Sequence, residues 1–401
     1  GWLAGLPIGI KDLIAVAGMR GTAGSPALAN FVAEENDALI DRLEARGAIF
    51  AGKTNTPEFG AGGNTFNAVF GATRNPWDTG RNAGGSSGGA AVSLATGEVW
   101  LSHGSDLAGS LRTPAALCGV IGFRPSPGRC GGAPADTGFA LEAVQGPMAR
   151  DVRDTALFLD AMCGFDPRHP LSLEEPLTSF QNTLERAPGP IRIAFAEDQN
   201  GFAPVETPVR AVLRAAMECT DGSGITVAEA CPDLPDLERT YRTLRGLHYG
   251  SIIARMPAEI QNHFKPTLQG NRDEALSLTA DDIFEAQRAR TRLYNNMRVF
   301  LEGYDVLAIP VVGITAQPVE EEYPPVIDGV PMSDYIEWLR FSFLAPATTL
   351  PALSMPAGFT REGLPVGLQL IGPPRGEARL LQVALAVEER LGLPSTPIDP
   401  T

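Results

Sequence analysis

Two serines sit in backbone too rich in glycine to be ordinary core: Ser86 in Gly84-Gly85-Ser86-Ser87-Gly88-Gly89, and Ser110 in Gly104-Ser105-Asp106-Leu107-Ala108-Gly109-Ser110. A serine hydroxyl is a weak nucleophile until a base takes its proton. The four histidines, His103, His169, His248 and His263, stand at no known triad spacing from either run, so the base must be sought elsewhere. The lysines are Lys11, Lys53 and Lys265. Lys11 ends the apolar run Ile8-Gly-Ile10. At a surface such a lysine merely snorkels. Held in an apolar site, its pKa falls from ~10.4 toward ~7–8, and it becomes a competent base.

The second serine run has a further use. A strand turning into a loop over Gly104–Ser110 would bring the N–H groups of Leu107, Ala108, Gly109 and Ser110 toward one oxygen. Such a nest stabilises the oxyanion of acyl transfer, typically by ~3–4 kcal/mol per donor. Asp106 reads as the structural acceptor that shapes this loop, the usual role of Asp in turns.

Two familiar patterns fail on context. Gly47-Ala-Ile-Phe-Ala-Gly52-Lys53-Thr54 matches the phosphate-loop letters, but a helix precedes Gly47, a strand lies between the glycines and Pro57 spoils the turn that follows. Gly84–Gly88 and Gly85–Gly89 both satisfy G-x-S-x-G. Neither is preceded directly by a strand, and no histidine follows His263. Both read as a glycine-rich turn opening a helix over Gly88–Thr96.

The elements that must carry these residues alternate. Leu6–Ile10 and Ala48–Ala51 read as strands, and Asn36–Arg46 as a helix capped by Asn36 or Asp37 and ended at Gly47. Asp151–Cys163 is a second helix, with Val152, Ala156, Leu159 and Cys163 on one stripe. Asp166–Pro190 breaks the pattern and Ile191–Ala196 resumes as a strand. Thr207-Pro208 starts a mostly helical span over 206–302, which ends in a long helix from Thr279 to about Phe300. Strands return at Val306–Val312, Ala352–Pro356 and Val366–Ile371, with a long loop at Gly313–Pro331 and a final helix at Glu377–Leu391. The expected fold is α/β: one large domain with a central, mixed, mostly parallel twisted sheet covered by helices on both faces. Its expected parts are a catalytic core at 1–165, a helical excursion at 166–303 and completion of the sheet at 304–401.

Composition narrows the function classes. A chain of 401 residues, 44% hydrophobic and 20% charged, buries a large core. Its formal net charge of −15 repels phosphate backbones and anionic membranes, so nucleic acid and membrane are not expected partners. Five cysteines, widely spaced and without C-x-x-C, argue against a disulfide framework or a zinc site and for a reducing cytoplasm. No apolar run reaches ~20 residues, and no basic segment followed by an apolar one opens the chain.

Taken in order, Gly5-Leu-Pro-Ile-Gly-Ile-Lys11-Asp, Gly52-Lys-Thr-Asn, Asn75-Pro-Trp, the two serine runs, Gly146-Pro-Met-Ala-Arg, Tyr304-Asp-Val-Leu, Leu350-Pro-Ala-Leu-Ser and Gly363-Leu-Pro-Val-Gly-Leu-Gln-Leu-Ile-Gly strongly resemble the amidase signature family. The resemblance covers nearly the whole chain. It implies that Ser110 is the acylating nucleophile, Ser86 a bridging serine after a cis Gly85–Ser86 bond, and Lys11 the base, with Ser87 in support. It implies amide hydrolysis through an acyl-enzyme, with no metal or organic cofactor. The expected partner is a small-molecule amide, and a homodimer is the assembly to test. The chain departs from the family at Ala108, where glycine is usual, and it lacks the helical segment usual before Gly5-Leu-Pro7.

Three functions follow from these features. The leading one is a stand-alone amidase. The first alternative is the glutaminase subunit of a tRNA-dependent amidotransferase, against which stand the acidic charge and Leu141-Glu-Ala-Val-Gln-Gly-Pro in place of a serine-rich stretch. The second is a non-catalytic binding or scaffold member of the fold. The acyl pocket is expected from spans 130–145, 235–265 and 313–345, with Phe341, Phe343, Leu344 and the pair His248-Tyr249 as wall candidates, core packing being the role weighed ahead of it for each phenylalanine.

Overall fold

Ten strands form one sheet in the computed structural model, which describes residues 2–132 and 137–401. The part of the expected pocket span at 133–136 lies outside the described residues. In chain order the strands are β1 (Pro7–Lys11), β2 (Ile49–Thr54), β3 (Leu101–Asp106), β4 (Ile121–Arg124), β5 (Val144–Ala149), β6 (Ile191–Phe195), β7 (Ile225–Glu229), β8 (Val306–Pro310), β9 (Ala352–Phe359) and β10 (Pro365–Ile371). Across the sheet they run β7-β6-β8-β10-β9-β4-β5-β3-β1-β2.

The sheet is mixed in a regular way. Parallel ladders lie at the two flanks, β3-β1-β2 at one and β7-β6-β8 at the other, and the ladders between them are antiparallel. The parallel flank from β1 to β3 holds the chemistry. Ile8, Gly9 and Ile10 pair with Leu101, Ser102 and His103, so Lys11 and the Gly104–Asp106 segment end side by side.

The helices form where their caps and stripes predict. The first is α1 (Ala38–Ala45), capped by Asp37, which accepts from the Leu39 N–H at 2.9 Å, while Asn36 instead accepts from the Ala17 N–H. Then come α2 (Gly88–Ala95), α3 (Arg112–Cys118), α4 (Val152–Met162) capped by Asp151, α5 (Thr207–Thr220), α6 (Leu237–Ile252), α7 (Pro266–Ser277), α8 (Ala280–Phe300) and α9 (Glu377–Leu391). Thr279 and Asp282 close a reciprocal cap on α8, and Gly392 ends α9 with φ +58°.

Three strands of the ten-stranded sheet escaped the sequence reading, and Asp78–Asn82, just before the Gly84 turn, also pairs with Arg74–Asn75 where a loop was expected. β7 lies inside the span expected to be mostly helical, and β4 and β5 carry Gly122, Gly146 and Pro147, which weigh against strand propensity. The register explains one of those glycines. A Cβ at Gly122 would lie 2.1 Å from the Leu111 carbonyl oxygen, so only glycine lets β4 approach the loop that carries Ser110. The loop expected at Gly313–Pro331 ends in a small hairpin, Val326–Ile327 with Val330–Pro331. Gly52 and Lys53 lie within β2, so the phosphate-loop letters describe a strand. No helix among the described residues is long and apolar enough to cross a membrane.

Candidate active site

Lys11 is the last residue of β1 and is fully buried. Its Nζ lies 2.7 Å from Ser86 Oγ and 3.0 Å from Ser105 Oγ. Burial pushes its pKa down to about 7, a fall that the Asp106 charge partly opposes. The ammonium therefore gives way to a neutral amine near neutrality, in contact with the Ser86 hydroxyl. Ser105 is a functional contact the sequence reading did not assign. Its only sequence signal was its place between Gly104 and Asp106.

His103 fixes the strand beneath. The Lys11 N–H donates to Nδ1 at 3.3 Å, and Nε2 lies 2.7 Å from Gln145 Oε1. With Nδ1 accepting, the proton of the neutral ring sits on Nε2 and points at Gln145. Burial pushes the His103 pKa down to about 3, partly offset by Gln145, so the ring is uncharged beside Lys11.

Ser86 follows a cis peptide bond from Gly85. Thr65 ties down the turn around it: its Oγ1 donates to the Gly84 carbonyl at 2.9 Å and accepts from the Gly88 N–H at 3.1 Å. The Ser87 N–H donates to the Ser110 carbonyl at 3.2 Å, which joins the two serine runs through their backbones. Ser110 precedes α3 and is 8% exposed, whereas Lys11 is 0% exposed. Ser110 is thus the more open residue of the two, and Lys11 the drier.

Asp106 is the acceptor at the centre of the second run. Its Oδ1 accepts from the Gly109 N–H at 3.0 Å and its Oδ2 from the Leu111 N–H at 3.2 Å. Arg112 binds both carboxylate oxygens, at 3.0 and 2.9 Å, and Arg124 Nη1 reaches the Asp106 carbonyl at 2.5 Å. All three side chains are fully buried. Burial alone would raise the Asp106 pKa, but the Arg112 charge and hydrogen bonds, with Arg124 and the Gly109 N–H, outweigh it and hold the carboxyl well below its usual range. The network corrects one expectation. Gly109 turns its N–H to Asp106, so the donors without an acceptor among the described residues are Leu107, Ala108 and Ser110.

The wall candidates divide. Phe341, Phe343 and Leu344 are completely buried, and Phe343 stacks on Tyr241 with ring centroids 4.1 Å apart. Tyr241 donates to the Leu107 carbonyl at 3.1 Å, so this group braces the serine loop from behind and does not line a pocket. Tyr249 belongs to a separate apolar cluster with Ala61, Ile253, Phe264 and Leu268, against which Phe59, Leu107, Ile252, Met256 and Ile260 are only partly buried. Phe59 has φ +48°, a left-handed conformation that a bulky residue keeps only when its surroundings hold it. Here the Phe59 N–H donates to the Ala23 carbonyl at 2.8 Å, and the neighbouring Glu58 carboxylate accepts from Ser25 and the Lys265 N–H. The same turn carries Gly60 against Ser86: a Cβ there would stand 3.6 Å from Ser86 Oγ. His248 instead lines an adjoining cavity of about 370 Å³ with Glu142 and Arg290, which pair at 2.9 Å.

The known proteins this chain resembles fall in one family. The family model described as Amidase matches residues 1–381. An acylamidase of Rhodococcus erythropolis is 35% identical over 402 residues, covering 97% of this chain and 82% of the relative. A glutamyl-tRNA(Gln) amidotransferase subunit of Synechococcus is 36% identical over 418 residues, covering 96% of this chain and 83% of the relative. Among solved structures, a bacterial aryl acylamidase of the amidase signature family superposes with a TM-score of 0.89 at 28% identity, over 97% of this chain and 83% of that one. A 6-aminohexanoate cyclic dimer hydrolase complexed with substrate does so with a TM-score of 0.87 at 27% identity, over 97% and 85% of the two chains.

Proposed function

The chain belongs to the amidase signature family of amide hydrolases, and on that footing we propose that Ser110, Ser86 and Lys11 form its acyl-transfer relay, acting on amides with an apolar acyl group. The observation that carries the relay is the 2.7 Å contact between the buried Lys11 amine and Ser86 Oγ. Neutral Lys11 takes the proton of Ser86 as Ser86 takes that of Ser110, whose Oγ attacks the amide carbonyl. The oxyanion is held by the N–H groups of Leu107, Ala108 and Ser110. The proton returns through Ser86 to the leaving nitrogen, which departs as amine or ammonia. Water, deprotonated along the same path, then adds to the acyl-Ser110 ester and releases the carboxylate.

The acyl preference rests on the half-buried side chains around Leu107. Phe59, Ile252, Met256 and Ile260 present an apolar surface on the Leu107 side of the serine loop, and the turn of Phe59 reaches Ser86. An apolar wall favours aryl and alkyl acyl groups by roughly 25 cal/mol per Å² of surface that substrate buries there. Ala108 keeps its N–H, and its methyl packs half-buried against the main core. The wide spacing of the five cysteines, without C-x-x-C, supports a cytoplasmic setting.

Hydrolysis of a series of p-nitroanilides, from acetyl to benzoyl and hexanoyl, tests this reading. The longer and aryl substrates are expected to give the higher kcat/KM, with near-equal loss in Lys11→Ala, Ser86→Ala and Ser110→Ala, since members of one relay are not additive. Activity that survives Ser110→Ala would remove Ser110 as nucleophile. The similarity to an amidotransferase subunit keeps a glutaminase reading in view. Faster ammonia release from glutamine than from any anilide would favour it.

A further inference from the structure

Cys130 and Cys163 are 33 positions apart in sequence and face each other across an isolated antiparallel bridge. Residues opposed in that way have Cα atoms ~4.5–5.5 Å apart, inside the ~4.4–6.8 Å range a disulfide spans. Both are buried, Cys130 at 4% exposure and Cys163 at 0%, and neither belongs to the relay or the serine loops. The surroundings hold this pair in register. Cys163 ends α4, and its carbonyl accepts from Arg42 Nη1 at 3.1 Å. On the other side, the Arg129 N–H donates to the Ser126 carbonyl at 3.1 Å, and the Ser126 N–H donates to Glu377 at 3.0 Å. Two anchored backbones thus hold the two residues opposite each other.

We propose that Cys130 and Cys163 are a reversible redox pair, closing to a disulfide in the folded protein when a low-molecular-weight disulfide is the oxidant. The Cys130 thiolate, the less buried of the two, attacks one sulfur of the oxidant and displaces one small thiolate. Cys163 then attacks the Cys130 sulfur of the mixed disulfide and displaces the second. Two protein thiols are oxidised and one small disulfide is reduced to two thiols, which carry away both protons. Burial, together with the neighbouring Cys130, pushes the Cys163 thiol well above its ordinary pKa, so closure is slow at neutral pH and quickens as pH rises. The bond joins the segment after β4 to the end of α4 and closes a loop of about 34 residues.

Incubating the full chain with oxidised glutathione at pH 8.5, then quenching in acid, alkylating and mapping peptides, tests the pair directly. The expected product is a Cys130–Cys163 linked peptide about 2 Da lighter than the sum of its reduced parts. The melting temperature should rise by roughly 3–6 °C and return on reduction with dithiothreitol. Glutathione adducts or alkylated thiols at both positions, with no linked peptide, would overturn the proposal. Cys130→Ser and Cys163→Ser should each abolish the rise, and a rise that persists in either would overturn it as well. The peptide map of the unaltered chain decides the matter even if a serine variant fails to fold.

Discussion

Ser105 and Asp106 are neighbours in β3, yet they open onto two buried ionic settings with opposite outcomes. On the Asp106 side, a carboxylate and two guanidiniums are all fully buried and stay charged, because each charge meets another at hydrogen-bonding distance. On the Ser105 side, the Lys11 amine is equally buried and its charge is lost near pH 7, because its polar contacts are hydroxyls. Asp106 would be the natural counter-ion for Lys11, but Arg112 and Arg124 already hold it. Burial makes charge costly in both places. The partner decides whether the charge survives, and the same strand end thereby yields a rigid ionic brace and a neutral amine beside two hydroxyls.

Replacing one member of each setting by an uncharged residue of similar length should separate them. Lys11→Met is expected to lower kcat/KM on an anilide by about 10⁴-fold or more and to raise, not lower, the urea midpoint at pH 7, since the unfolded chain protonates this lysine while its burial in the fold disfavours the charge. Arg112→Met should do the reverse in kind. It leaves the Asp106 carboxylate with one of its two guanidinium partners and is expected to cost about 3–5 kcal/mol of stability, read from the urea midpoint. If Lys11→Met destabilised the chain as much as Arg112→Met, Lys11 would be a structural charge and the contrast would fail.

The pH profile examines the same contrast more finely. A base with a pKa of about 7 must be neutral to act, so kcat/KM should rise about tenfold per unit up to pH 7 and level off above it. Asp106 raises the Lys11 pKa, so Asp106→Asn should move that limb to lower pH in whatever fraction remains folded. A limb that stays in place would mean the titrating group is not Lys11. The smallest expected effect is that of Ser105→Ala, which removes one of two hydroxyl contacts to Nζ: a fall of about tenfold or less in kcat/KM, with KM little changed.

Much of this was legible in the chain itself. Helix ends followed from short-range chemistry, as at Asp37, Asp151, Thr279 and Gly392, where a cap and its helix lie within a few residues of each other. The serine runs, Lys11 and Asp106 stood out because their glycine-rich or apolar settings are local too. The strands β4, β5 and β7 were missed because a short strand is specified by its neighbours across the sheet more than by its own residues. Phe341 and Phe343, weighed between pocket wall and core, are fully buried together with Leu344, and the choice stayed open in the sequence because an aromatic run carries no mark of which way it faces.

The sequence by itself determined the inventory: a lysine at the end of an apolar strand, two serines in glycine turns, and an aspartate three residues before Gly109. Only the tertiary structure decided what each became. Lys11 meets Ser86 across 75 positions and Ser105 across 94, and its loss of charge depends on how completely the strands and helices around it exclude water. The diversion of the Gly109 N–H to Asp106, and the meeting of Cys130 with Cys163 in a chain whose cysteine spacing argued against disulfides, are of the same kind. Local chemistry selects elements, but electrostatic and covalent partnerships depend on distances that exist only after strand order and register are set.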